Sequence, residues 1–393
     1  MRNIVYLQNQ VQNYVWGDTH TLHDLYEVSN PDNLPQAELW LGAHPKNSSK
    51  VQKGRKLLTL TDLIAKDPVS ALGESNALKY NDKLPFLFKV LAVEKPLSIQ
   101  VHPNEEQAFV SFARENLLEV PLDAPNRNYV DDNGKPEMLY ALTPFWLMCG
   151  FRELDAIKAH LAILIPRFFM EQDLAHADYR KLFSALMQLD SRQKTSVIEK
   201  ALQNANKLDD HDISQWITAL AQEYPDDIGI LMPAVLNLVQ LQPGEALYLA
   251  PRTLHCYLKG AGLELMGNSD NVLRCALTPK HIDLAELGII TAFESQPPVY
   301  LKPNAASALE TTFAQAGGDF MLSAINMPVN GQIYYQKLAV PEILLCAEGK
   351  FTVTRYGHKT GLVLKRGQSM FVAYDVGGYT LRGQGLIYKA SLA

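Results

Sequence analysis

Two stretches of this 393-residue chain can be laid over one another without a gap. They are LQPGEALYLAPRTLHCYLKGAGLELM (Leu241–Met266) and LKRGQSMFVAYDVGGYTLRGQGLIYK (Leu364–Lys389). Leu241 matches Leu364, Gly244 matches Gly367 and Ala250 matches Ala373. Leu258, Gly260, Gly262 and Leu263 recur as Leu381, Gly383, Gly385 and Leu386. A chain that repeats itself over this length builds one supersecondary unit twice. Each copy reads as strand, turn and a second strand ending at a glycine corner, which suits a jelly-roll barrel. The divergence is equally informative: His255 becomes Gly378 and Glu264 becomes Ile387. The second copy is therefore read as structural, stripped of polar groups, and the first as chemical.

Around the repeat the hydrophobic period changes twice. Leu84–Val93 is a β-rich apolar run stopped by Lys95-Pro96, Leu97–His102 is a shorter strand ended by Pro103, and Phe145–Phe151 is apolar again. From about Glu153 to Tyr224 the spacing is helical. Leu154, Ile157, Leu161 and Leu164 share a face, as do Leu182, Leu186 and Leu189, and Ile213, Trp216, Ile217 and Leu220. Pro166 and Pro225 are natural stops, and strand character resumes with Ala234–Val239. The expectation is a mainly β chain with an inserted α-helical domain. Residues 1–152 and 226–295 would form one barrel, 153–225 the helical insertion, and 296–393 the second barrel. His160, His176 and His211 fall on the helices without shared spacing and read as surface or hydrogen-bonded side chains.

Composition narrows the function. At 47% hydrophobic residues a sizeable core is within reach. A net charge of -6 argues against general nucleic-acid binding, which needs a basic face. Cys149, Cys256, Cys275 and Cys346 sit in no CxxC pattern and read as reduced thiols of a cytoplasmic protein. No signal-like apolar region opens the chain, and no apolar run is long enough to span a bilayer, so no membrane partner is expected.

The segment His255–Lys280 gathers an imidazole, a carboxylate (Glu264), a guanidinium (Arg274) and an ammonium (Lys280) around Asn268-Ser269-Asp270-Asn271. Unpaired charge is costly to bury, so this density points to a pocket for a polar, anionic ligand. Gln100 and His102 lie two apart on a strand and project from one face. Imidazole and carboxylate favour zinc or another divalent first-row ion. Glu137, aimed by Pro136, and His255 are the candidates to complete such a site.

Tyr14–Gly17, Ala37–Pro45, Pro96–Pro103, Tyr129–Glu137 and His255–Lys280 together resemble the type I mannose-6-phosphate isomerases over essentially the whole chain. The resemblance implies two cupin-type jelly rolls with a helical insertion. It implies one zinc ion per chain on Gln100, His102, Glu137 and His255, with Arg274 as the active-site arginine and Glu264, Lys135 and Lys280 at matching positions. The implied reaction interconverts mannose 6-phosphate and fructose 6-phosphate through an enediol, with Glu264 as base or, alternatively, as a salt-bridge partner of a nearby cation. Lys135 and Lys280, with Lys89 and Ser98, would complete the anion pocket. The small phosphorylated sugar is the expected partner of a monomeric chain. A cupin oxygenase and a non-catalytic sugar-phosphate-binding cupin are the rival readings. The segment Tyr129–Glu137 departs from the family pattern YxDxNHKPE at Gly134, where the family has His. Cys256, Gly267, Cys275 and Ala276 replace other small residues.

Overall fold

A computed structural model of the chain describes residues 4–335 and 340–393. Strands dominate, in two large antiparallel sheets. The first orders Gln10–Gln12, Glu38–Gly42, Phe86–Val93, His255–Gly267, Glu137–Ala141, Ala246–Leu249 and Val299–Leu301 side by side. The strand His255–Gly267 then carries it into a further layer. Its beginning pairs with Phe145–Phe151 and Ile99–Val101, and its end with Phe86–Val93 and Glu137–Ala141. The register shifts between Tyr257 and Lys259, and Gly260 follows at φ 132°. A Cβ there would lie 2.7 Å from the carbonyl oxygen of Pro144, so the bend admits only glycine.

The internal repeat is observed in space. Ala246–Leu249 and Ser369–Val372 occupy matching positions, as do His255–Gly267 and Tyr379–Leu392. Gly383 repeats the close approach of Gly260, against the carbonyl of Lys350. The second sheet orders Ile4–Leu7, Ser369–Val372, Glu342–Arg355, Tyr379–Leu392, Phe320–Tyr335, Glu310–Ala314 and Asn304–Ala305, with Leu362–Lys365 beside Glu342–Arg355. Two short strands cross the expected boundaries. Ile4–Leu7 pairs with Ser369–Val372, and Val299–Leu301 pairs with Ala246–Leu249. Each covers a row of N–H and C=O groups that would otherwise form an open edge.

Alternation decides what faces what. Phe86, Phe88, Val90 and Ala92 point one way and join Leu39, Leu41, Leu263 and Leu265. Phe320, Leu322, Ile343, Leu345, Phe371 and Ala390 of the second sheet lie in the same cluster, which is the apolar layer between the sheets. Leu87, Lys89 and Leu91 point the other way, so an ammonium enters the interior of the first sheet among leucines. The helices from Leu154 to Glu223 run between Phe145–Phe151 and Leu236–Leu241, which are themselves paired. Ile157, Leu161, Leu164, Leu182, Leu186, Ile213, Ile217 and Leu220 are all buried there, against Ile99, Val101, Phe151 and Leu273. The helical faces read from spacing are thus the buried ones. Ala234 and Val235 are not strand but the end of the helical turn Met232–Val235, whose Pro233 suits a first helical turn. His160, His176 and His211 each have a hydrogen-bond partner.

The second copy is not stripped of polar groups, contrary to expectation. Lys389, aligned with Met266, is buried with its Nζ 2.8 Å from Glu310 and 3.3 Å from Glu342. The hydroxyls of Tyr335 and Tyr379 donate to the remaining oxygens, at 2.8 and 2.6 Å. Its polar residues come from positions other than those of the first copy. Removing the ammonium leaves two buried carboxylates uncompensated, so Lys389→Ala is expected to cost about 3–5 kcal/mol in urea unfolding. Replacing the cluster together (Lys389→Met, Glu310→Gln, Glu342→Gln) should cost less than the single change.

Candidate metal centre

Strand register assembles the centre. His255, at the start of its strand, lies opposite Gln100, and Arg274 flanks Gln100 from the other side. His102 follows two residues on, its carbonyl accepting the Arg252 N–H at 2.7 Å. Glu137 opens its own strand opposite Met266 and Leu249. The outcome is a buried trio in which ligating atoms of His102, Glu137 and His255 all lie within 4.8 Å of one another. Among the described residues no other group of three or more His, Cys, Asp or Glu side chains is so arranged.

The imidazoles are oriented from behind. Nδ1 of His102 lies 2.7 Å from the carbonyl oxygen of Asn271, and Nδ1 of His255 lies 2.9 Å from that of Thr253. A carbonyl only accepts, so in the neutral rings Nδ1 holds the hydrogen and Nε2 presents its lone pair. Both lone pairs face Glu137: Nε2 of His102 is 3.1 Å from Oε1, and Nε2 of His255 is 3.3 Å from Oε2. Acceptor then faces acceptor, and His255 Nε2 and Glu137 Oε2 have no hydrogen-bond partner although buried. Buried polar atoms are rarely left so. A divalent cation resolves the arrangement, and these donors fit one.

The charges nearby agree. Burial pushes the His102 imidazole down to about 3, with the Lys135 ammonium adding to the effect, so the ring stays neutral and able to ligate. Burial alone would raise the Glu137 carboxyl, but the Lys135 ammonium beside it outweighs burial and holds it well below its ordinary value. Lys135 Nζ lies 3.0 Å from Glu137 Oε1 and 3.3 Å from His102 Nε2. Asn271 ties the pieces together. Its side chain accepts from the Val130 N–H and donates to the carbonyls of Asp131 and Asn133, while its own carbonyl holds His102.

Deeper in the same interior, Lys89 lies between two carboxylates, 2.8 Å from Glu264 and 3.5 Å from Glu38. Tyr257 donates to the other Glu264 oxygen at 2.8 Å, and the Trp40 indole donates to Glu38. Burial raises the Glu264 carboxyl against the opposing pull of Lys89, and the charges of Glu137 and Glu38 raise it further. Burial would lower the Lys89 ammonium, but Glu264 and Glu38 keep it raised and charged. Towards the surface, half-buried Arg274 has no carboxylate within ion-pair distance among the described residues. Its charge lowers the pKa of exposed Lys280, with burial and Lys46 adding to it. Lys46 pairs with Asp270 at 3.0 Å, and His44 Nε2 lies 3.6 Å from the same carboxylate.

Comparison with known proteins places this architecture. The family model for the phosphomannose isomerase type I catalytic domain matches residues 4–154. Mannose-6-phosphate isomerase of Escherichia coli K12 is 40% identical, covering 98% of each chain, and the Homo sapiens enzyme of that name is 33% identical over 92% of this chain and 91% of its own. The chain belongs to the mannose-6-phosphate isomerase family. A crystal structure of the Salmonella typhimurium enzyme bound to substrate (f6p) and zinc superposes with TM-score 0.91 at 37% identity, covering 99% of both chains. A zinc-bound mannose 6-phosphate isomerase structure gives 0.90 at 38% identity, again over 99% of both chains.

Of the residues expected from sequence, His102, Glu137, His255 and Lys135 meet directly, and Gln100 adjoins them through the ladder. Ser98 is half-buried immediately before the Ile99–Val101 strand. Lys89 stands apart from Lys280 and Arg274 in kind, because two carboxylates already neutralise it. Glu264 makes the salt bridge to a nearby cation that was the alternative to its role as base. Sequence reading gave no role to Glu38, Trp40, His44 or Tyr257, and it named Asp270 and Asn271 only as part of a turn. Glu38 and Trp40 carried a usable signal, being two apart on an otherwise apolar strand and hence on one face.

Burial pushes His44 down to about 4 from an ordinary 6.5, so between those values the unfolded chain binds a proton that the folded one rejects. Stability in urea should therefore fall as pH drops from 6.5 to 4, by up to about 1.4 kcal/mol per pH unit for such a group. The decline should be shallower in His44→Gln, with His102 continuing the same trend towards pH 3.

Proposed function

We propose that this chain interconverts mannose 6-phosphate and fructose 6-phosphate as a zinc-dependent aldose–ketose isomerase. The observation that carries the reading is the buried His102–Glu137–His255 set, with partnerless Nε2 and Oε2 atoms, beside a buried carboxylate–lysine pair. Membership of the family and the zinc and f6p bound in the solved relative support it. Gln100, His102, Glu137 and His255 would hold one zinc ion per chain. Bound there, zinc supplies a Lewis acid for the sugar oxygens.

The chain's own residues supply the rest. Isomerisation moves a proton between C2 and C1 through an enediol. Glu264 is the base in this proposal, because burial raises its carboxyl above the ordinary carboxylate range and so makes it a stronger base than an exposed glutamate. Lys89 and Tyr257 hold one oxygen each, fix its orientation, and balance its charge as the proton comes and goes. Lys89 thus serves Glu264 and not the phosphate. Lys135 keeps Glu137 ionised and offers an ammonium to a sugar oxygen. Arg274 stabilises developing oxyanion charge or holds the phosphate, with Lys280 and Ser98 completing the anion site.

The proposed architecture is a pair of cupin-type jelly rolls, 1–152 with 226–295 and 296–393, allowing for the exchanged edge strands, with 153–225 inserted. The reading includes a monomer and a cytoplasmic location, the latter supported by four buried, unpaired cysteines. No helix of the described residues is long and apolar enough to cross a membrane.

A coupled assay with mannose 6-phosphate, run with and without chelator, tests the proposal. Chelator-sensitive conversion is the expected result, and zinc-loaded protein with no conversion would count against it. Glu264→Gln should lower kcat by about 10²–10⁴ with zinc retained. Activity within a few-fold of wild type would remove the base role. His255→Ala should lose stoichiometric zinc.

A further inference from the structure

Two departures from the family pattern, Gly134 and Gly267, turn out to be neighbours. A Cβ on Gly267 would stand 3.0 Å from the carbonyl oxygen of Gly134 and 3.2 Å from Pro136 Cδ. On the opposite side, a Cβ on Gly134 would stand 2.7 Å from the backbone nitrogen of Glu105 and 3.0 Å from the carbonyl carbon of Asn104. Neither glycine has a positive φ. Space, not backbone conformation, is the restriction: at Gly134 a Cβ would overlap the Glu105 backbone, and at Gly267 the neighbours would have to give by a few tenths of an ångström.

The segment between them is held on three sides. Gly134 N–H donates to Glu105 Oε2 at 2.9 Å, Lys135 N–H to the Pro103 carbonyl at 3.2 Å, and Gly267 N–H to the Pro136 carbonyl at 2.9 Å. Glu105 opens the helix Glu105–Leu117, whose capping box joins Asn104 and Gln107, so that wall yields only by breaking the cap. A cavity of about 190 Å³ adjoins, lined by Glu105, Gly134, Pro136 and Phe320 among others. It offers no relief, because the first obstacle to a Cβ is the backbone of Glu105 itself.

We propose that Gly134 and Gly267 act as a clamp of two positioning residues. Close approach at both lets the chain seat Lys135 and Glu137 against His102 and His255. It follows that the family's histidine does not fit at position 134 of this chain, and that restoring it damages the centre. A catalytic gap waiting to be refilled would behave in the opposite way. The inference rests on the metal centre proposed above.

The test is Gly134→His, Gly134→Ala and Gly267→Ala, each compared with the full-length wild type. Zinc affinity is read by competition with a chelator, kcat and KM by the coupled assay, and melting temperature in chelator. Misplaced ligand supports typically cost 10–100-fold in metal affinity. Both Gly134 variants should therefore bind zinc at least about tenfold more weakly, with kcat falling more than KM rises, and Gly267→Ala should move the same way. Unchanged zinc affinity with only a lower melting temperature would reduce the glycines to a structural role and overturn the proposal. So would a Gly134→His protein with wild-type zinc affinity or a higher kcat/KM. If Gly134→His does not fold, Gly134→Ala decides alone. A wild type that binds zinc but does not isomerise would defeat the proposed reaction and leave the affinity comparison decisive for the clamp. A wild type that binds no zinc removes both.

Discussion

The bend at Gly260 is the constraint on which this molecule depends. It allows one strand, His255–Gly267, to be hydrogen-bonded in two layers at once. Through that strand His255 meets Gln100, Glu264 meets Lys89, and Met266 meets Glu137. No loop has to carry these residues into place, because sheet register does so. A slip of one residue would turn His255 and Glu264 to the opposite face and put Leu254 and Leu263, or Cys256 and Leu265, in their stead. The buried faces on both sides, with Leu263 and Leu265 in the layer between the sheets, make such a slip prohibitive.

Both sheets admit charge to their interiors under one rule. In the first, Lys89 lies between Glu38 and Glu264; Trp40 donates to the same Glu38 oxygen that faces Lys89, and Tyr257 donates to the other oxygen of Glu264. In the second, Lys389 lies between Glu310 and Glu342, served by Tyr335 and Tyr379. Neutral aromatic donors finish the hydrogen bonding that a single ammonium cannot, which is the condition for burying ions at tolerable cost. The difference lies in the neighbours. Glu264 feels the charge of Glu137, whereas among the described residues no histidine pair joins the Lys389 group.

Much of this was legible from residues alone. The glycines of the repeat announced two bends, and both occur where the carbonyls of Pro144 and Lys350 crowd the strand. His102, Glu137 and His255 were recognisable because each sits on or beside a strand in a polar exception to an apolar run. The partners of Lys89 were not, since Glu38 lies far away in sequence and only cross-strand pairing joins them. The Lys389 cluster was hidden for a related reason: the alignment compares Lys389 with Met266, and its carboxylates arrive from strands outside the repeat. The exchanged edge strands are three or four residues long, and nothing so short declares which sheet it will join.

The strand Ile4–Leu7 gives the fold an unusual temporal order. Its partner, Ser369–Val372, lies near the other end of the chain, and the Asn9–Ser369 side-chain bond that continues the junction spans 360 residues. During synthesis the opening strand must therefore wait, unpaired, until almost everything after it has been made. Contacts of such long separation close late and slow the final step. Until then Ile4–Leu7 keeps its own N–H and C=O groups without their ladder partners. The nascent chain therefore carries an unpaired strand, and with it a risk of misassociation, throughout the synthesis of the residues that separate the two partners.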